Sequence, residues 1–238
     1  MNLSAFGKKF GGDAGITTLM DDISSALSSG RHTIMMGGGN PANIPEIEAI
    51  IRQRLKSLAN DPASARQLLG SYDPPQGNSQ LIDALAHLFS KKLGWPITRH
   101  NIALTNGSQS AFFMLFNMLA GEFEDGTHKQ IQLPMAPEYI GYADAGIAGD
   151  LFTAAHPTID QLELRQFKYR VQFDHLNVGS STGAICVSRP TNPTGNVITD
   201  EEVEQLDALA QANKVPLIID GAYGLPFPGL IYTPATPF

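Results

Sequence analysis

The chain has 238 residues, 42% of them hydrophobic, and a formal net charge of −7, enough for one large domain or two small ones. The acidic balance and the scatter of its 16 Lys and Arg argue against nucleic acid and anionic membrane as partners. A single cysteine excludes a disulfide framework. With no apolar signal core at the N-terminus and no run of about 18 apolar residues, the expectation is a soluble cytoplasmic protein.

In chain order, Ile16, Leu19, Met20, Ile23 and Leu27 repeat at helical spacing over 16–28, ending at Gly30. A short apolar strand, Thr33–Met36, leads into Gly37-Gly38-Gly39-Asn40-Pro41, and helical patterns cover roughly 45–59 and 79–93. Between them lies the turn-rich Tyr72-Asp73-Pro74-Pro75-Gln76-Gly77. From about residue 100 strands and helices alternate. Asn101–Thr105 reads as a strand, Ser108–Leu119 as a helix, Gln130–Pro134 as a strand, Glu138–Gly146 as helical and Asp150–Ala154 as extended. Phe167–Phe173 alternates large apolar with basic or polar residues, which puts Lys168 on a wet face. Ala184–Ser188 reads as a buried strand holding Cys186, Asp200–Ala212 as a helix with Thr199 as N-cap, and Val215–Asp220 as a second buried strand. This order predicts an α/β fold, a mostly parallel sheet with helices on both faces. Ligands then collect at the carboxyl ends of the strands.

Four motifs fall at those ends. Thr105-Asn106-Gly107-Ser108-Gln109-Ser110 places a glycine and two N–H groups at a helix N-terminus, which suits a phosphate or an ordinary capped helix start. Tyr139 can stack on a planar ring or close off the core. Pro190 and Pro193 hold Asn192 at a strand tip, where its amide can donate to a phenolate oxygen or shape an Asn-Pro turn. Asp220 ends an apolar strand where an isolated carboxylate is costly to bury. It calls for a cationic partner, such as a protonated pyridine nitrogen, or caps the next loop. Tyr223, three residues on, can reach the same ring.

The joint order of Gly107-Ser108-Gln109, Tyr139, Asn192-Pro193-Thr194-Gly195 and Asp220-x-x-Tyr223 resembles the fold-type-I pyridoxal 5'-phosphate (PLP) aminotransferases over essentially the whole chain. The resemblance assigns phosphate to Gly107, Ser108 and Gln109, ring stacking to Tyr139, the ring 3-oxygen to Asn192 and Tyr223, and the pyridine nitrogen to Asp220. Gly39 resembles the glycine near the substrate carboxylate, and Tyr72 a tyrosine that reaches the phosphate of a neighbouring subunit in a homodimer. The implied reaction moves an amino group between an aliphatic amino acid and a 2-oxo acid, with alanine and pyruvate as one pair and valine and 2-oxoisovalerate as the other. Another fold-type-I chemistry, such as a carbon–sulfur lyase, is the alternative.

The resemblance also implies a Schiff-base lysine in a Ser-x-x-Lys segment some way beyond the aspartate, followed by phosphate- and substrate-binding arginines. The last lysine, Lys214, instead precedes the strand that Asp220 ends. About six extended residues, on the order of 20 Å, separate the two. The expectation is therefore a partial enzyme or a non-catalytic PLP-binding remnant. Residues 1–50 would be an N-terminal arm with part of the small domain, and residues 51–238 the N-terminal portion of the large PLP-binding domain.

Overall fold

The structure, a computed structural model, describes residues 2–30, 34 and 43–224. The chain divides into two compact units, one of Asp21–Thr105 and one of Met1–Met20 with the chain from Asn106 onward. Helix α1 spans Ala5–Phe10 and α2 spans Gly15–Ser28. The first unit then holds α3 (Pro45–Asn60), α4 (Pro62–Gly70) and α5 (Ser79–Leu93). Helices α2, α3 and α5 match the periodicity. The patterns at α1 and α4 escaped it because both are short; α4 is started by Asp61, whose carboxylate accepts the N–H groups of Ala63 and Ser64. The expected strand at Thr33–Met36 lies, apart from Ile34, outside the described residues, as does Gly39.

The second unit carries the sheet. After α6 (Ser108–Leu119) come β1 (Gly121–Glu122), β2 (His128–Leu133), β3 (Phe152–Ala154), β4 (Thr158–Gln161), β5 (Phe167–Arg170), β6 (Thr182–Ser188), α7 (Asp200–Asn213) and β7 (Leu217–Asp220). Strands β2, β6 and β7 lie side by side and parallel, β3 adds in parallel to the other edge of β2, and β1 returns antiparallel on that same edge. Strand β6 shows why a continuous apolar run means a buried parallel strand. Ala184 and Cys186 face a core built with Phe112 and Phe116 of α6, whereas Ile185 and Val187 face one built with Leu206 and Ala210 of α7. Both faces of the sheet are therefore covered, as the strand–helix alternation requires.

Helix α7 starts on a reciprocal cap. Thr199 accepts the Glu202 N–H at 3.2 Å, and the Glu202 carboxylate accepts the Thr199 N–H at 2.7 Å. The other oxygen of Glu202 accepts the Val171 N–H, which is how a buried carboxylate is tolerated there.

Three expected elements differ. Asn101–Thr105 is not a strand. A 3₁₀ turn spans Arg99–Asn101, in which Asn101 turns its side chain back to cap Thr98, and the Leu104 N–H donates to Gln76 O. Glu138–Gly146 is not a regular helix but a 3₁₀ turn at Ile140–Tyr142 followed by turns, because Glu138 is drawn into contact with Ser188. The strand expected over Phe167–Phe173 stops at Arg170 and pairs antiparallel with β4 in a separate hairpin. Tyr169 and Val171 face the core as the alternation requires, but Phe167 is exposed and Lys168 half-buried.

Candidate active site

Parallel register brings Ser188 at the end of β6 opposite Asp220 at the end of β7. Around this pair Ser108, Tyr139, Pro190, Asn192, Ala222 and Tyr223 enclose a cleft of about 240 Å³. Five residues singled out from the sequence, spread from Ser108 to Tyr223, thus meet in one place. Asn192 and Tyr223 meet directly, the amide donating to the phenol oxygen at 3.5 Å. Gln109 joins indirectly, its amide donating to the Tyr139 hydroxyl at 3.2 Å. Gly107 is the N-cap of α6 with φ of +85°, a conformation that glycine adopts without penalty. Tyr72 lies in the other unit, fully exposed in the loop after α4.

The carboxylate of Asp220 is aimed by two donors. Tyr142 gives its hydroxyl to one oxygen at 2.7 Å, and the Ala222 N–H reaches the other at 3.0 Å. Tyr142 is itself fixed in the core against Phe112, Phe116 and Tyr139. Burial raises its phenol above the usual range, helped by Cys186 and Asp220, so it keeps its proton and donates it to Asp220.

A second carboxyl group stands behind the first. Glu138 accepts the Ser188 N–H at 3.0 Å, the Ser188 hydroxyl, and the Tyr139 N–H at 3.2 Å. Burial pushes it up to about 7 against these bonds, with a further contribution from the charge of Asp220. The cleft therefore pairs two carboxyl groups whose surroundings differ. Sequence reasoning missed Glu138 and Tyr142. The available signal was their position four residues apart on either side of Tyr139, in Glu138-Tyr139-Ile140-Gly141-Tyr142.

The raised value carries a stability consequence with a definite sign. Well below pH 4.5 the native and unfolded chains both carry Glu138 protonated. As pH rises toward 7 the unfolded chain loses that proton first, so unfolding releases a proton and Glu138 increasingly favours the unfolded state. Glu138→Gln is expected to leave Tm little changed near pH 4.5 and to raise it relative to the parent chain by pH 8. A difference that is flat across thermal scans at these pH values would show that Glu138 does not titrate in this window.

The set of groups fits a planar pyridine phosphate. A carboxylate lies at one end, an amide and a phenol sit where a ring oxygen needs donors, an aromatic ring stands at Tyr139, and the α6 N-terminus begins at Ser108. The sequence pattern of the family Aminotransferase class I and II matches residues 37–233. The chain belongs to this family. Class I and II aminotransferases use PLP, and they take amino acids and 2-oxo acids as substrates.

Among individual relatives, valine–pyruvate aminotransferase of Escherichia coli K12 is 54% identical over 237 residues, spanning 100% of this chain and 56% of that protein. A putative amino-acid aminotransferase from Psychrobacter arcticum superposes with a TM-score of 0.87 at 46% identity, over 99% of this chain and 58% of that one. Valine–pyruvate aminotransferase from Salmonella typhimurium superposes with a TM-score of 0.77 at 52% identity, over 94% of this chain and 54% of that one. The chain thus spans little more than half the length of these aminotransferases. Among the described residues, no helix is long and apolar enough to cross a membrane.

Proposed function

We propose that this chain is the cofactor-binding portion of a PLP-dependent aminotransferase that exchanges amino groups between an aliphatic amino acid and a 2-oxo acid, with valine and pyruvate giving 2-oxoisovalerate and alanine. The observation that supports it most is the convergence of Ser108, Tyr139, Asn192, Asp220 and Tyr223 on one cleft. The 54% identity to a valine–pyruvate aminotransferase along the whole chain supports the substrate pair.

In this reading PLP, when bound, supplies the electron sink for chemistry at the amino acid's Cα. Asp220, steadied by Tyr142 and the Ala222 N–H, holds a proton on the ring nitrogen. Asn192 and Tyr223 donate to the ring 3-oxygen, and Tyr139, kept in place by Gln109, covers a ring face. Gly107, Ser108 and Gln109 take the phosphate, with Tyr72 serving the phosphate of a partner subunit and Gly39 lying near the substrate carboxylate. Residues 51–238 are the N-terminal portion of the large domain. The lysine that moves the Cα proton belongs to the remaining length of such an enzyme. Lys214 lies at the opposite end of β7 from Asp220.

Pyridoxamine 5'-phosphate binds such a site without needing a lysine, so it tests the cleft by itself. The chain is expected to quench its fluorescence saturably at one site while showing no alanine–2-oxoisovalerate transamination. Joining the chain to the remaining segment of the Escherichia coli relative should restore turnover. Absence of saturable binding would remove the cofactor reading.

A further inference from the structure

The loop that carries Asn192 is held from outside the cleft. Within it, the Asn196 carbonyl accepts the Thr191 N–H at 2.8 Å, and the Thr191 carbonyl accepts the Gly195 N–H at 2.7 Å. Thr191 also gives its hydroxyl to Ser188 O at 2.9 Å. The entering side is anchored by buried Arg189, which donates to Ile198 O at 3.0 Å and pairs with Asp200. The same Arg189 thereby reaches the leaving side, and inside the loop the Thr194 hydroxyl oxygen accepts the Asn196 N–H at 3.2 Å. A further tie comes from β5, where Lys168 donates its ammonium to Val197 O and to Asn196 Oδ1. Asn196 is in turn steered by its amide toward the Met135 sulfur at 3.9 Å.

We propose that Lys168 is a positioning residue, its ammonium stapling the Thr191–Val197 loop to the neighbouring hairpin and so fixing the direction of the Asn192 amide. The inference rests on the reading of Asn192 as a cofactor ligand, but the staple itself is independent of any ligand. Lys168, Asn196 and Val197 border an open groove of about 450 Å³. Without the ammonium, water in that groove is the remaining partner for the two acceptors. Burial lowers the Lys168 ammonium from the usual lysine range while the charge of Glu202 draws it back, as expected of a cation held for its bonds and not for solvation. A hydrogen bond from a charged donor is among the stronger kinds, and losing two of them is a large local change.

Amide hydrogen exchange on the unliganded 238-residue chain tests the staple. Lys168→Met should speed exchange at Thr191 and Gly195 by roughly tenfold or more and leave Ile185 in β6, which donates to Pro216 O, unchanged. Lys168→Arg, which restores a charged donor, should recover most of the protection. Unchanged protection at Thr191 and Gly195 overturns the proposal, as does an arginine variant no better than methionine. If Ile185 also exchanges freely in the methionine variant, that variant has unfolded, and Lys168→Gln, whose amide ends one bond short, is judged by the same criterion.

The second readout uses pyridoxamine 5'-phosphate. Lys168→Met should weaken its binding in the parent chain and have no further effect in an Asn192→Ala background. Equal weakening in both backgrounds would mean that Lys168 does not act through Asn192. Failure of the parent chain to bind at all would count against the cofactor reading, while the exchange data would still decide the staple.

Discussion

Asp220→Ala is expected to weaken pyridoxamine 5'-phosphate binding to this chain by about 30-fold or more, since truncating one partner of a buried, hydrogen-bonded charge pair costs about 2–5 kcal/mol. The prediction follows from how fully the carboxylate is directed. Tyr142 and the Ala222 N–H take one oxygen each, so the group is held at the cleft before any ligand arrives. Asp220→Asn separates the two contributions. It keeps an acceptor for Tyr142 but removes the charge, so it should preserve the fold, lose most of the affinity, and lower the pKa of the bound ring nitrogen as read by absorbance. In a chain completed to the length of its relatives, Asp220→Ala should reduce alanine–2-oxoisovalerate turnover severely. Parent-like affinity in both variants, measured by fluorescence titration, would remove Asp220 from the cofactor site.

Among the described glycines, Gly183→Ala should add the most damaging single methyl group. A Cβ at Gly183 would lie 1.8 Å from Leu119 O and 2.7 Å from Leu119 C, both backbone atoms at the end of α6. No rotamer change relieves such a clash, so α6 must move off β6, and with it Phe116, whose side chain is fully buried against Tyr142 and Phe152. Overpacking of this kind costs about 3 kcal/mol or more, on the order of 10 °C in Tm for a unit of this size. Loss of soluble protein would be the extreme form of the same result. A variant melting within about 2 °C of the parent would show that α6 and β6 are not so closely apposed.

How much of this was legible in the sequence depends on the distance over which each residue finds its partner. Asn192, Asp220 and Tyr223 were legible because local chemistry marks them, with prolines around one and a sharp end to an apolar run before the others. Thr199 was legible because both halves of its cap lie within four residues. Tyr142 was not, since its role is set by a partner 78 residues away. Glu138 is the same case, taken out of a helical pattern by Ser188, 50 residues on.

Lys168 was misjudged for a related reason. A basic residue in an alternating strand signals a solvated face only if nothing covers that face, and here the Asn196–Val197 segment does. The strand expected over Asn101–Thr105 failed because a suitable apolar stretch still needs a strand to pair with, and Leu104 instead bonds Gln76 in a turn.

The closeness of Glu138 and Asp220 has one more consequence, in the proton count of binding. The charge of Asp220 is part of what keeps a proton on Glu138 near neutral pH. A guest that brings positive charge to Asp220 cancels that influence and makes Glu138 more acidic. Occupation of the cleft should therefore expel part of a proton into solution, so the measured heat of binding would vary with the ionisation enthalpy of the buffer. The cleft meets an arriving cation by developing a second negative charge behind the first.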